Sequence, residues 1–96
     1  MENPKICKAL QLYLMTSYLY YHRNRSVIPD EQYDQLAKQL LLRWDTFEHQ
    51  HKHLISKEDL QAGTLYHLRE DQYPKMVVGA ALILLTKYEQ KRMREM

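Results

Sequence analysis

Residues Tyr18 to Asp34 read YLYYHRNRSVIPDEQYD. This stretch decides the fold, because it holds the end of one helix, a break and the start of another. Upstream of it, Ile6, Leu10, Tyr13, Leu14, Ser17, Tyr20 and Tyr21 recur at helical spacing and predict a helix over about 4–21. Asn3 is a suitable cap for it and Pro4 suits its first position. The segment HRNRS is polar and aperiodic, so the chain turns there. Pro29 then opens a second helix, with Asp30 and Glu31 placing negative charge at the positive end of its macrodipole. Tyr33, Leu36, Ala37, Leu40, Leu41, Trp44 and Phe47 form its stripe and carry it over about 29–50. So short a connection makes the two helices antiparallel neighbours, an αα-hairpin.

The rest of the chain extends this all-α reading. Ser56 caps a short helix near 56–62, with Asp59 as a weak capping-box partner and Gly63 as its terminator. TLYHLREDQY, from Thr64, reads equally as a short strand or a packed loop. Pro74 opens a long C-terminal helix over about 74–94, apolar almost all round from Met76 to Leu85 and therefore expected at the centre of the core. Its last turns are solvated, and Lys87, Lys91, Arg92 and Arg94 complement the dipole there. With 96 residues and no visible linker or repeat, 1–96 reads as one helical domain.

Composition narrows the function classes. A net charge of +2 is too small to argue for nucleic acid, and the groups HRNR and KYEQKRMR read as solvated surface. Cys7 is the only cysteine, so a disulfide within the chain and a multi-cysteine zinc site are both ruled out; it reads as a small buried hydrophobe. MENPKICKAL lacks the apolar block of a signal peptide, and MVVGAALILL is far shorter than the roughly 20 residues that span a bilayer. The single cysteine suits a reducing cytoplasm. In EHQHKH, His49 and His53 share a helix face and His51 points elsewhere, but no further ligand completes a zinc set, so a solvated helix end is the reading. No nucleophile–base spacing or glycine-rich phosphate loop is present, and a non-catalytic role is expected.

YLYYHRNRSVIPDEQYDQLAKQL also resembles the N-terminal helical subdomain, domain Ia, of bacterial NAD-dependent DNA ligases. There an aromatic-rich helix ends in tyrosines, and a short loop and a helix opening on EYD follow. Tyr18, Tyr20, Tyr21, Ile28, Pro29, Asp30, Tyr33, Asp34, Leu36 and Leu40 stand in register. The resemblance covers roughly residues 1–55; residues 56–96 match nothing in the ligase. The ligase subdomain recognises the nicotinamide mononucleotide half of NAD, which implies Tyr20, Tyr21, Asp30, Tyr33 and Asp34 as contacts. The second position of the tyrosine pair is histidine in some members, so Tyr21 and His22 both stand for it. The K-x-D-G motif of the nucleotidyltransferase domain is missing, and with it the sealing reaction. Small ligase-related proteins are familiar from bacteriophage genomes, and this chain looks like one.

Two expectations follow. The first is a phage-encoded interaction protein that uses the hairpin to bind or modulate a host protein in the host cytoplasm, with no required cofactor. The second is a module that senses or sequesters NAD or nicotinamide mononucleotide. The chemistry of the second stands without the family: nicotinamide in NAD is a pyridinium cation, and tyrosine faces attract cations. DNA binding is a third and weaker expectation.

Overall fold

The computed structural model describes residues 4–95, and the side chains of 5–91. Four α-helices follow one another: α1 (Pro4–His22), α2 (Asp30–Leu42), α3 (Lys57–Ala62) and α4 (Lys75–Glu95). Short 3-10 turns at Trp44–Thr46, Lys52–Leu54 and Glu70–Gln72 punctuate the connections, and no strand occurs among the described residues. Among the described residues no helix is long and apolar enough to cross a membrane. The expected cap at Asn3 lies outside the described residues.

α1 is the central helix, a place the periodicity assigned to α4. Leu10, Tyr13, Leu14, Ser17 and Leu19 are fully buried, and Ala9, Thr16 and Tyr18 nearly so. At 3.6 residues per turn, Tyr18 lies roughly half a turn round from Thr16, so opposite sides of α1 are covered. α2 packs on one side and α4 on another. The hydroxyls of buried Thr16 and Ser17 are satisfied: Thr16 Oγ1 donates to Leu12 O at 2.8 Å, and Ser17 shares a 2.5 Å hydrogen bond with Tyr33.

α1 and α2 form the expected antiparallel hairpin. Ser17 meets Tyr33 near the break, while Gln11 reaches His49, beyond the far end of α2, at 3.4 Å. Cys7 is half-buried, with Sγ 4.0 Å from Glu48 O. Leu36, Ala37 and Leu40 are the buried stripe of α2.

One boundary and one burial pattern depart from the sequence reading. α2 stops at Leu42 instead of running to Gln50. Trp44 and Phe47 leave the helix because Lys52 folds beneath them: its Nζ donates to Trp44 O at 2.6 Å and to Phe47 O at 2.8 Å. The ammonium also lies 4.7 Å and 4.6 Å from the two ring centroids. A charged donor to both carbonyls replaces the hydrogen bonds of further helical turns. Consequently His49 and His53 do not share a helix face; His49 is instead beside His51, ring centroids 5.2 Å apart. Burial holds His51 below the usual imidazole range, with smaller contributions from His49 and His53. No cluster of three potential metal ligands exists among the described residues.

α4 differs in burial. Val77 and Ala81 are buried against α1, but Met76, Leu82 and Ile83 are exposed, so the apolar run is one packed face and one open face. Lys87 and Lys91 are solvated as expected, whereas Arg92 and Arg94 lie outside the described side chains. The ambiguous segment from Thr64 is a packed loop anchored by buried Leu65, Leu68 and Tyr73.

α3 is bounded as its sequence predicts. Ser56 and Asp59 form a reciprocal capping box, and Gly63 ends the helix at φ +68°. A Cβ at Gly63 would sit 3.3 Å from Asp34 Oδ1. Gly63→Ala is therefore expected to cost about 1–2 kcal/mol, since a left-handed residue with a Cβ is strained and Asp34 must also yield. Urea denaturation checks this; an unchanged midpoint would mean that the turn relaxes without strain.

Candidate functional site

The α1–α2 break is shaped by backbone hydrogen bonds. Arg23 N and Arg25 N both donate to Leu19 O, at 3.2 and 2.9 Å, while Asn24 takes φ +54°, a conformation asparagine tolerates. Pro29 is extended (φ −62°, ψ 151°) and precedes the first turn of α2, where its carbonyl accepts from Gln32 N and Tyr33 N. The loop thus leaves the tyrosines at the end of α1 facing the acidic first turns of α2.

Between them lies a cavity of about 340 Å³. α1 contributes Thr16, Tyr20 and Tyr21; the loop contributes Ser26, Val27 and Ile28; α2 contributes Asp30, Tyr33 and Asp34. Gly63 and Thr64 close the far wall. The volume falls at the lower end of the range for small-molecule pockets, about 300–1,000 Å³. It opens to solvent and is not sealed beneath residues 64–73: Tyr20 is 56% exposed, and Asp30 and Asp34 are exposed.

The rings are held at different depths. Tyr33 stacks on fully buried Tyr13, with centroids 4.7 Å apart and planes at 16°. Tyr13 OH donates to Thr64 O at 3.2 Å, which ties the far wall to α1. Burial raises both hydroxyls above the ordinary phenol range, so both remain protonated at neutral pH. Tyr21 is half-buried, its OH 3.5 Å from Leu65 N, and meets Tyr20 edge-on at 5.0 Å. Tyr20 forms the exposed rim, and Tyr33, stacked on Tyr13 and hydrogen-bonded to Ser17, forms the platform. Among the described residues no cation pairs with Asp30 or Asp34.

Five of the six candidate residues from the sequence, Tyr20, Tyr21, Asp30, Tyr33 and Asp34, therefore line one cavity. His22 does not. Its Nε2 lies 2.9 Å from Leu68 O and its ring packs edge-on against Tyr73 at 5.4 Å, within the contact between α1 and the 65–73 loop. Of the two residues that stood for one ligase position, Tyr21 is the one at the cavity. Gly63 and Thr64 were missed, because they are distant in sequence and belong to the segment without ligase likeness. Gly63 was legible as a helix terminator, but nothing local signalled its approach to Asp34.

No protein-family model, curated protein or solved structure matches this chain.

Proposed function

We propose that this protein is a non-catalytic binding module whose tyrosine- and aspartate-lined pocket takes a nicotinamide-type ring cation. The observation that carries the reading is the convergence of Tyr20, Tyr21, Tyr33, Asp30 and Asp34 on one open cavity. A pyridinium ring over a tyrosine face gains about 0.5–2 kcal/mol. Carboxylates add charge complementarity and accept hydrogen bonds from ribose hydroxyls or a carboxamide. The domain Ia resemblance points to the same ligand class. So few contacts, set against the cost of association, imply weak binding, with a dissociation constant of about 1 mM at the tightest.

The test is an NMR titration with nicotinamide riboside, nicotinamide mononucleotide and NAD. Tyr20, Tyr33 and Asp34 signals are expected to shift saturably, and Tyr20→Ala is expected to weaken binding several-fold while the chain remains folded. Absence of any shift at several millimolar of all three compounds would sink the reading.

A second reading, engagement of a host protein, is favoured by one separate observation. Met76, Leu82 and Ile83 form an exposed apolar face on α4, away from the face that packs on α1. Apolar side chains exposed on one helix are available to a partner, and such a surface marks an interaction site when it is contiguous. A silent titration leaves this second reading standing.

A further inference from the structure

The ligase resemblance implies a nucleotide, a ring cation that also bears a phosphate. The electrostatics of this pocket argue for a different ligand. Among the described residues its charged lining consists of two carboxylates, Asp30 and Asp34, with no lysine, arginine or histidine.

The basic residues that follow Tyr20–Tyr21 are each engaged elsewhere. His22 is held at Leu68 O, 2.9 Å away. Arg23 Nε donates to Tyr18 OH at 3.0 Å, with the guanidinium 5.6 Å from the Tyr18 ring centroid. Arg25 pairs with Glu89 on α4 at 3.6 Å and donates to Asn24 O at 3.2 Å. The remaining anion-attracting feature nearby, the N-terminus of α2, already carries the carboxylates of Asp30 and Glu31 in its first turn. A phosphate brought here meets like charge and finds no cationic partner in the pocket among the described side chains.

We infer that the pocket selects a phosphate-free organic cation, a pyridinium nucleoside or N-alkylpyridinium, over the corresponding 5′-phosphate. This rests on the reading of the pocket as a site for a nicotinamide-type ring. A phosphate monoester carries about −1.5 to −2 charges at neutral pH. Held roughly 8–10 Å from two carboxylates in a water-like dielectric, it is repelled enough to weaken binding about fivefold or more at low salt. The cavity volume of about 340 Å³ also suits a nucleoside better than a dinucleotide.

The experiment compares nicotinamide riboside, N-methylnicotinamide and nicotinamide mononucleotide on the intact chain, by NMR titration at low and at high salt. The riboside is expected to bind about fivefold or more tightly than the mononucleotide at low salt, with the ratio shrinking as salt rises. Ser26→Arg, which adds a cation at the exposed rim, is expected to narrow or reverse that ratio. A mononucleotide that binds the wild-type chain as tightly as the riboside overturns the inference while leaving the pocket reading intact. A Ser26→Arg chain that keeps the wild-type ratio also overturns it. If none of the three binds at several millimolar, the pocket reading fails and the inference with it.

Discussion

Tyr18→Ala is expected to cost about 3–5 kcal/mol of stability, the range for truncating a buried aromatic. Tyr18 is 1% exposed. Its ring meets Tyr73 edge-on at 5.3 Å and lies 5.9 Å from His22. Its hydroxyl accepts from Arg23 Nε at 3.0 Å and donates to Glu70 Oε1 at 3.3 Å. This one side chain therefore joins α1 to the 65–73 loop and to the start of the break. A domain of this size has about 5–15 kcal/mol in total, so the variant would be near its unfolding limit. Urea denaturation measures the loss. Tyr20→Ala, two residues away and 56% exposed, is expected to change stability by less than about 1 kcal/mol. Equal costs at the two positions would contradict the division of this tyrosine group into core and rim. Tyr18→Phe separates ring from hydroxyl and is expected to cost about 1 kcal/mol.

Lys52→Met is the second large effect, expected at about 2–3 kcal/mol. The Lys52 side chain is only 16% exposed, and its ammonium serves Trp44 O and Phe47 O at 2.6 and 2.8 Å. Methionine keeps much of the apolar stem but leaves both part-buried carbonyls without their donor, at about 1 kcal/mol each, the low end of the cost of an unsatisfied group. The two cation–π contacts are lost as well. The nearby Glu48 contributes little, since its side chain is 89% exposed and 3.8 Å away. Trp44 is the chain's single tryptophan, so its emission reports the change locally. Loss of hydrogen-exchange protection confined to about residues 43–56 would accompany the destabilisation. A variant with an unchanged denaturation midpoint and unchanged Trp44 emission would remove Lys52 from its role as the staple of this turn.

The two predictions mark where local pattern was and was not enough. The helical hairpin, the capping box of α3 and the stop at Gly63 follow from short-range chemistry: hydrophobic period, an oxygen within reach of an N–H, a residue without a Cβ. These signals act within a few positions and are visible in the chain itself. The pocket was half legible. Tyr20 and Tyr21 lie one helix end away from Asp30, Tyr33 and Asp34 across a short loop, so the motif brings them together. Gly63 and Thr64 arrive from another segment, and their approach depends on Tyr13 reaching Thr64 O.

Where periodicity misled, a long-range contact outweighed it. The stripe continuing through Trp44 and Phe47 satisfied helical spacing, but Lys52 offered their carbonyls a charged donor and the chain turned. The run from Met76 to Leu85 is apolar enough for the centre of the core. Only one helix can occupy the centre of so small a domain, and α1 does so because it can bury Tyr13 and Tyr18 with partners for both hydroxyls. α4 is left with Val77 and Ala81 inside and Met76, Leu82 and Ile83 outside. By itself, then, the sequence determined the all-α class, the helical starts and stops with local caps, and the pairing of the tyrosines with the acidic turn. Only the tertiary structure decided which helix is central, where α2 ends and that Tyr21, not His22, faces the cavity. Those outcomes are set by competition among distant groups for the same burial and the same hydrogen bonds, which spacing along one chain does not encode.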